Sequence, residues 1–105
     1  MIEIRTKEDF NVIFNSDELS CIKFGAGWCG PCKVLARTLE HVEKDGTDCK
    51  IYECDIENEE IADIATEFVV SNIPFLMFVK NGEILDTAIG VISQLEFNKR
   101  VKDLQ

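Results

Sequence analysis

Apolar residues recur along this chain in two rhythms, every second position or every third and fourth, and the changes of rhythm mark its elements. Ile2 to Arg5 reads as a short strand. Thr6 is placed to cap a helix whose Phe10, Ile13 and Phe14 share one face. Cys21 to Ala26 is a second strand, closed by glycine. After Pro31 a helix carries Leu35, Leu39 and Val42 on one stripe and ends near Gly46. Cys49 to Ile56 is a third strand. Asn58 then caps a helix with Ile61, Ile64, Ala65 and Phe68 at helical spacing. Phe75 to Val79 is a continuous apolar strand after Pro74. Asn81-Gly82, two residues that tolerate positive φ, turns the chain back into Ile84 to Ile89 as a hairpin. Ser93 and Glu96 form a capping box for a last helix with Phe97, Val101 and Leu104 inward.

The order is βαβαβαββα. Alternation of strand and helix in the first half implies parallel pairing with helices on both faces, and the late hairpin adds an antiparallel pair. The expected class is an α/β sandwich around a mixed sheet. A chain of 105 residues is long enough for one core and too short for two, so residues 1–105 are expected to form a single domain. No repeat, linker or low-complexity segment interrupts it.

Composition narrows the partners. Twenty acidic against eleven basic side chains give a formal charge of −9, which repels phosphate backbones and anionic lipid. Nucleic acid and membrane are therefore not expected partners. The first residues mix acid, base and apolar side chains, and no eighteen-residue apolar run follows. A cytoplasmic location is expected, as is a monomer. Five cysteines are an odd number, with no secretory signal, so a structural disulfide framework is not expected and thiols are the default state.

Only Cys29 and Cys32 have a short spacing. Trp28-Cys29-Gly30-Pro31-Cys32-Lys33 lies between a strand and a helix inside a βαβ unit, the context in which C-x-x-C reads as a redox site. Two intervening residues let a helix-starting turn bring the sulfurs within disulfide range. Pro31 suits the first turn, where its missing N–H has no partner to lose, and Gly30 permits another chain to approach. Cys29 sits at the positive end of the helix, which favours its thiolate. Lowering a thiol pKa from about 8.5 to about 7 takes roughly 2 kcal/mol. The thiolate fraction at pH 7 then rises about sixteen-fold, while intrinsic nucleophilicity falls about five-fold, so attack gains only about three-fold. The same stabilisation makes Cys29 a better leaving group when Cys32 attacks it. The competing readings are a zinc half-site and an inert buried pair. Zinc wants four ligands, and Cys21, Cys49, Cys54 and His41 supply no second close pair, so no metal and no bound cofactor is expected. His41 is expected to face water.

The motif after an apolar strand, Ile73-Pro74 before another, the Asn-Gly hairpin and Gly90 near the last helix together resemble the thioredoxin family over essentially the whole chain. WCGPC is specific for the reducing branch of that superfamily. The resemblance implies a thioredoxin-like three-layer sandwich on a five-stranded sheet, with a cis peptide before Pro74 facing the Cys29–Cys32 loop. It implies a redox-active Cys29–Cys32 disulfide and a protein-disulfide reductase: Cys29 attacks a target disulfide, a mixed disulfide forms, and Cys32 releases the reduced target. A thioredoxin reductase, carrying NADPH and flavin, is the implied electron donor, and disulfide-containing proteins are the implied targets. Trp28, Gly30, Pro31, Ile73, Pro74, Ile89 and Gly90 match the family's substrate-docking surface; for Ile73 and Ile89, core packing is the alternative. An oxidase or isomerase role, and a binding module with an incidental dithiol, are the competing functions; Gly-Pro between the cysteines argues against the first and the intact WCGPC against the second.

The chain departs from the family where a buried aspartate and a lysine are usual. Lys23 and Glu53 stand there, charge-swapped, with Lys23 on the strand face of Cys21 and Gly25. One reading is an ion pair without chemical consequence. The other makes both part of the catalytic machinery, Glu53 accepting the Cys32 proton and Lys23 stabilising a thiolate. Gly25 replaces a frequent aromatic, which implies a looser Trp28; Phe75 replaces threonine and adds apolar bulk near the site; Arg37 replaces a kinking proline, so the helix is expected to run straighter. Cys21 and Cys54 are expected to be buried. Cys49, at a strand start, is left open by the sequence: buried like the other two, or exposed and prone to oxidation or intermolecular pairing.

Overall fold

Backbone hydrogen bonding sorts these runs into β1 (Ile2–Ile4), α1 (Lys7–Phe14), β2 (Ser20–Gly25), α2 (Gly30–Asp45), β3 (Lys50–Asp55), α3 (Glu59–Glu67), β4 (Phe75–Lys80), β5 (Glu83–Ile89) and α4 (Gln94–Leu104). The computed structural model describes residues 1–105. The element order is the expected one, and the ends shift by a residue or so because partner strands, not local pattern, set where a ladder stops. The sheet has five strands in the order β1-β3-β2-β4-β5. β1 and β2 run parallel to β3, while β4 runs antiparallel to β2 and to β5.

β2 lies in the middle, and all six of its residues are buried. Its alternation feeds two cores. Ile22 and Phe24 point into one with Ile4, Phe10, Ile61, Ile64 and Met77. Cys21 points into the other with Leu35, Leu39, Val42, Phe78, Phe97 and Val101. Helices α1 and α3 thus cover one face and α2 and α4 the other.

The helix starts use the expected caps. Thr6 Oγ1 accepts the Asp9 N–H at 3.1 Å, Asn58 Oδ1 that of Glu60 at 2.9 Å, and Ser93 Oγ that of Glu96 at 3.1 Å. The capping box at Ser93 is only half made, because the Glu96 carboxylate accepts instead from Arg100 Nε at 2.9 Å. α2 runs unbroken through Arg37 to Asp45. The hairpin turn has φ of 54° at Asn81 and 75° at Gly82, and a Cβ on Gly82 would meet Asn15 Oδ1 at 2.7 Å. Both facts require glycine there. On the β5 edge, a bulge interrupts the ladder at Phe78/Val79.

Cys21, Cys54 and Cys49 are 0%, 2% and 3% exposed. Burial thus decides the open case of Cys49: the α2–α4 core covers the start of β3, and its Sγ–H donates to the Lys50 carbonyl at 3.5 Å. Burial pushes the Cys49 thiol from 9.0 up to about 12. Cys54 also rises to about 12, through burial first and then the nearby Glu3 and Glu53 carboxylates. Cys21 is raised by burial and by Cys49 beside it.

Two predictions follow from this packing. Val69, 78% exposed, closes α3 with φ at 56°, a conformation that costs a residue with a Cβ about 1–2 kcal/mol. Glycine removes that cost but gives up about 0.4–1 kcal/mol of unfolded-chain restriction, so Val69→Gly is expected to raise stability by about 0.5–1 kcal/mol in urea melts. The second concerns pH. Above pH 9 an unfolded chain releases thiol protons that the folded chain keeps, so stability falls as pH rises, until the folded thiols themselves titrate near 12. Each buried thiol contributes a slope of up to about 1.4 kcal/mol per pH unit in that window. Urea melts from pH 8 to 11 should show the decline, and Cys49→Ala or Cys54→Ala should each reduce its slope.

Candidate active site

Leaving β2 at Gly25, the chain crosses Ala26, Gly27 and Trp28 and starts α2 with Cys29 as its N-cap. The cap is extended, φ −88° and ψ 110°, and Cys29 Sγ accepts the Cys32 N–H at 3.2 Å. The first turn of a helix has N–H groups without backbone partners, and here a sulfur takes one of them. Cys29 N–H donates to the Ala26 carbonyl at 3.2 Å and Lys33 N–H to the Cys29 carbonyl at 3.3 Å. This single turn brings the Cys29 and Cys32 Cα atoms to 5.2 Å, and a disulfide joins the two side chains. The first turn of α2 carries no acidic residue. When the disulfide opens, the helix end and the Cys32 N–H therefore favour negative charge on Cys29 without a competing carboxylate.

The two cysteines differ more in their surroundings than in their own burial. Cys29 is 6% exposed and Cys32 2%, and Gly30, Pro31 and Trp28 around Cys29 face solvent. Ile73 and Ile56 pack against the cluster of Ala26, Cys29 and Cys32. Pro74, buried and preceded by a cis peptide, opens β4 immediately after. The Gly90 N–H donates to the Pro74 carbonyl at 2.8 Å, and Ile89 pairs with Phe75 across β4–β5. These links place Trp28, Gly30, Pro31, Ile73, Pro74, Ile89 and Gly90 at the same end of the sheet as the dithiol. Ile89 is 63% exposed and not a core residue, whereas Ile73 is half-buried against the dithiol. Val91, also exposed, extends this apolar rim and was not singled out by the sequence, because a lone valine in a loop carries no pattern. Phe75 differs from expectation: its ring turns away to meet Phe24 edge-on at 6.3 Å and belongs to the α1–α3 core.

Behind the disulfide lies a cavity of about 280 Å³ whose lining includes Lys23, Gly25, Cys32 and Glu53. Lys23 and Glu53 are register partners across β2–β3. Their Nζ and Oε1 atoms stand 4.0 Å apart, with 6% of the lysine side chain and 41% of the glutamate's exposed. The two residues therefore meet as an ion pair, without a hydrogen bond. Glu3, Lys33 and Asp55 also face the cavity; Asp55 arrives there as the partner of Gly25, a register that no local spacing reveals. His41 is exposed, as expected. No group of three or more His, Cys, Asp and Glu side chains is arranged to hold a metal ion, and no helix is long and apolar enough to cross a membrane.

The arrangement matches known proteins along nearly its whole length. The thioredoxin family model covers residues 1–103. Thioredoxin from Mycoplasmoides gallisepticum is 28% identical, over 97% of this chain and 100% of that protein. Thioredoxin from Buchnera aphidicola is 31% identical, over 94% of this chain and 91% of its own length. The crystal structure of thioredoxin from Trypanosoma brucei brucei superposes with a TM-score of 0.88 at 25% identity, covering 99% of this chain and 89% of the other. A dithiol capping the helix that follows the central strand, opposite a cis-proline loop, thus has the same setting in sequence and in space, and the chain belongs to the thioredoxin family of thiol–disulfide oxidoreductases.

Proposed function

We propose that residues 1–105 act as one domain that reduces disulfides in other proteins, with Cys29 as the attacking and Cys32 as the resolving sulfur. The observation that carries this reading is the Cys29 sulfur at the N-terminus of α2, where it accepts the Cys32 N–H and is the more exposed of the two. The Cys29 thiolate attacks one sulfur of a target disulfide. That S–S bond breaks, the first target sulfur leaves and takes up a proton, and a mixed disulfide remains. Cys32 loses its proton and attacks Cys29 Sγ. The second target sulfur leaves, and the Cys29–Cys32 disulfide closes. The second target sulfur also takes up a proton; the target has gained two electrons and two protons, and this chain has lost two electrons, the Cys32 proton and the proton that Cys29 released on becoming a thiolate.

The exposed apolar rim of Trp28 and Ile89, with Gly30, Pro31, Ile73, Pro74 and Gly90 between them, is the surface on which the target docks. It leaves backbone and small residues around Cys29, so an extended segment carrying a disulfide fits against it without displacing a bulky side chain. A flavoprotein thioredoxin reductase using NADPH is the donor that returns two electrons. Three buried free thiols and a charge of −9 suit a monomer working in the reducing cytoplasm. Glu53, whose half-exposed carboxylate shares the cavity with Cys32, takes the Cys32 proton and passes it to solvent.

The reduction potential of the Cys29–Cys32 pair, set by equilibration against glutathione or a reference dithiol, tests the direction of flow. A value below about −250 mV is expected for a reductant; one above about −200 mV would make the protein an oxidant or isomerase instead. Glu53→Gln is expected to slow release of the mixed disulfide several-fold at pH 7 in single-turnover kinetics, and an unchanged rate would remove Glu53 from the proton path.

A further inference from the structure

Lys23 is buried on the central strand, 5% exposed, and its one ion-pair partner, the Glu53 carboxylate, stands 4.0 Å away and partly in solvent. A buried ammonium so weakly compensated is costly unless something else answers its charge. Gly25 shows where the ammonium goes. A Cβ on Gly25 would sit 3.1 Å from Cys32 Sγ and 3.5 Å from Lys23 Nζ. The two atoms can be no further apart than the sum of those distances, and both border the space that glycine leaves open. While the Cys29–Cys32 disulfide is closed, Cys32 carries no charge to meet the ammonium. Once it opens, a Cys32 thiolate does.

We propose that Lys23, reaching through the gap left by Gly25, is a positioning residue for the resolving step and holds the Cys32 sulfur as its thiolate. The step is Cys32–SH passing its proton to the Glu53 carboxylate and on to solvent, with the Lys23 ammonium beside the sulfur that is left charged. The other charged or titratable groups on this cavity are Glu3, Lys33, Glu53, Cys54 and Asp55. The carboxylates oppose ionisation of Cys32, and Lys33 sits exposed on α2, so Lys23 is the buried cation at hand. The proposal rests on Cys32 being the resolving sulfur.

The test reads that sulfur directly. In a Cys29→Ser background, thiolate absorbance at 240 nm is followed against pH. Cys49 and Cys54 titrate only near 12 and burial raises Cys21 well above its ordinary value, so the earlier thiol step belongs to Cys32. Lys23→Met is expected to raise its midpoint by about one pH unit or more, and Lys23→Arg to return it close to the parent value. Gly25→Ala, which keeps both charges but puts a methyl into the space they both border, is expected to raise the midpoint as well, and it serves if Lys23→Met does not fold. A midpoint unmoved by both Lys23→Met and Gly25→Ala, with only thermal stability changed, would reduce Lys23 to a structural ion pair. Because the titration needs no target protein, it can fail while disulfide-reductase activity stands, and that activity can fail while the shift is seen.

Discussion

The structure depends on how β2 is buried. It is hydrogen-bonded along both edges, to β3 and β4, and covered on both faces by helices, so none of its six residues has a solvent side. Such a strand must be apolar or answer for every exception. Ile22 and Phe24 join the α1–α3 core and Cys21 the α2–α4 core. Ser20 and Lys23 are the two polar exceptions among the buried residues of this chain. Ser20 is satisfied locally, its hydroxyl donating to the Glu18 carbonyl at 3.5 Å. Lys23 has only the Glu53 carboxylate, 4.0 Å away, and it shares with Gly25 and Cys32 the cavity behind the dithiol.

From the end of that strand the rest of the site follows by short steps. The turn through Trp28 is just long enough to deliver Cys29 to the start of α2. Leu35, Leu39 and Val42, each fully buried, fix the helix against the sheet and so fix the sulfur at its N-terminus. Fully burying one such side chain stabilises the fold by about 1.5–3 kcal/mol. The cap is rigid because the stripe behind it is packed. On the far side, the Gly90–Pro74 hydrogen bond ties the β5 end to the loop that faces the dithiol.

Local chemistry was readable from the chain and long-range register was not. The Asn81-Gly82 turn, the Thr6, Asn58 and Ser93 caps and the helical stripes depend on neighbours within four residues, and all appear where the pattern puts them. The redox motif is likewise local. The place of Cys49 was not legible because its burial comes from α2 and α4, which pack over the start of β3 from distant parts of the chain. Glu96 looked like half of a capping box until Arg100, one turn later, claimed its carboxylate. The cavity behind Cys32 needs the pairing of Lys23 with Glu53 and Gly25 with Asp55, thirty residues apart. A family likeness flags the swapped charges, but only the folded sheet shows what lies between them.

The burial of Cys21, Cys49 and Cys54 has a consequence for traffic through the molecule. Five cysteines in one small chain invite short circuits: an interior thiolate within reach would compete with Cys32 for the mixed disulfide. Here the three spare thiols are buried and burial raises each above its ordinary range, so they stay protonated at neutral pH, Cys54 included although it borders the same cavity as Cys32. They act as insulation around a single conductor, and electrons entering at Cys29 have one exit.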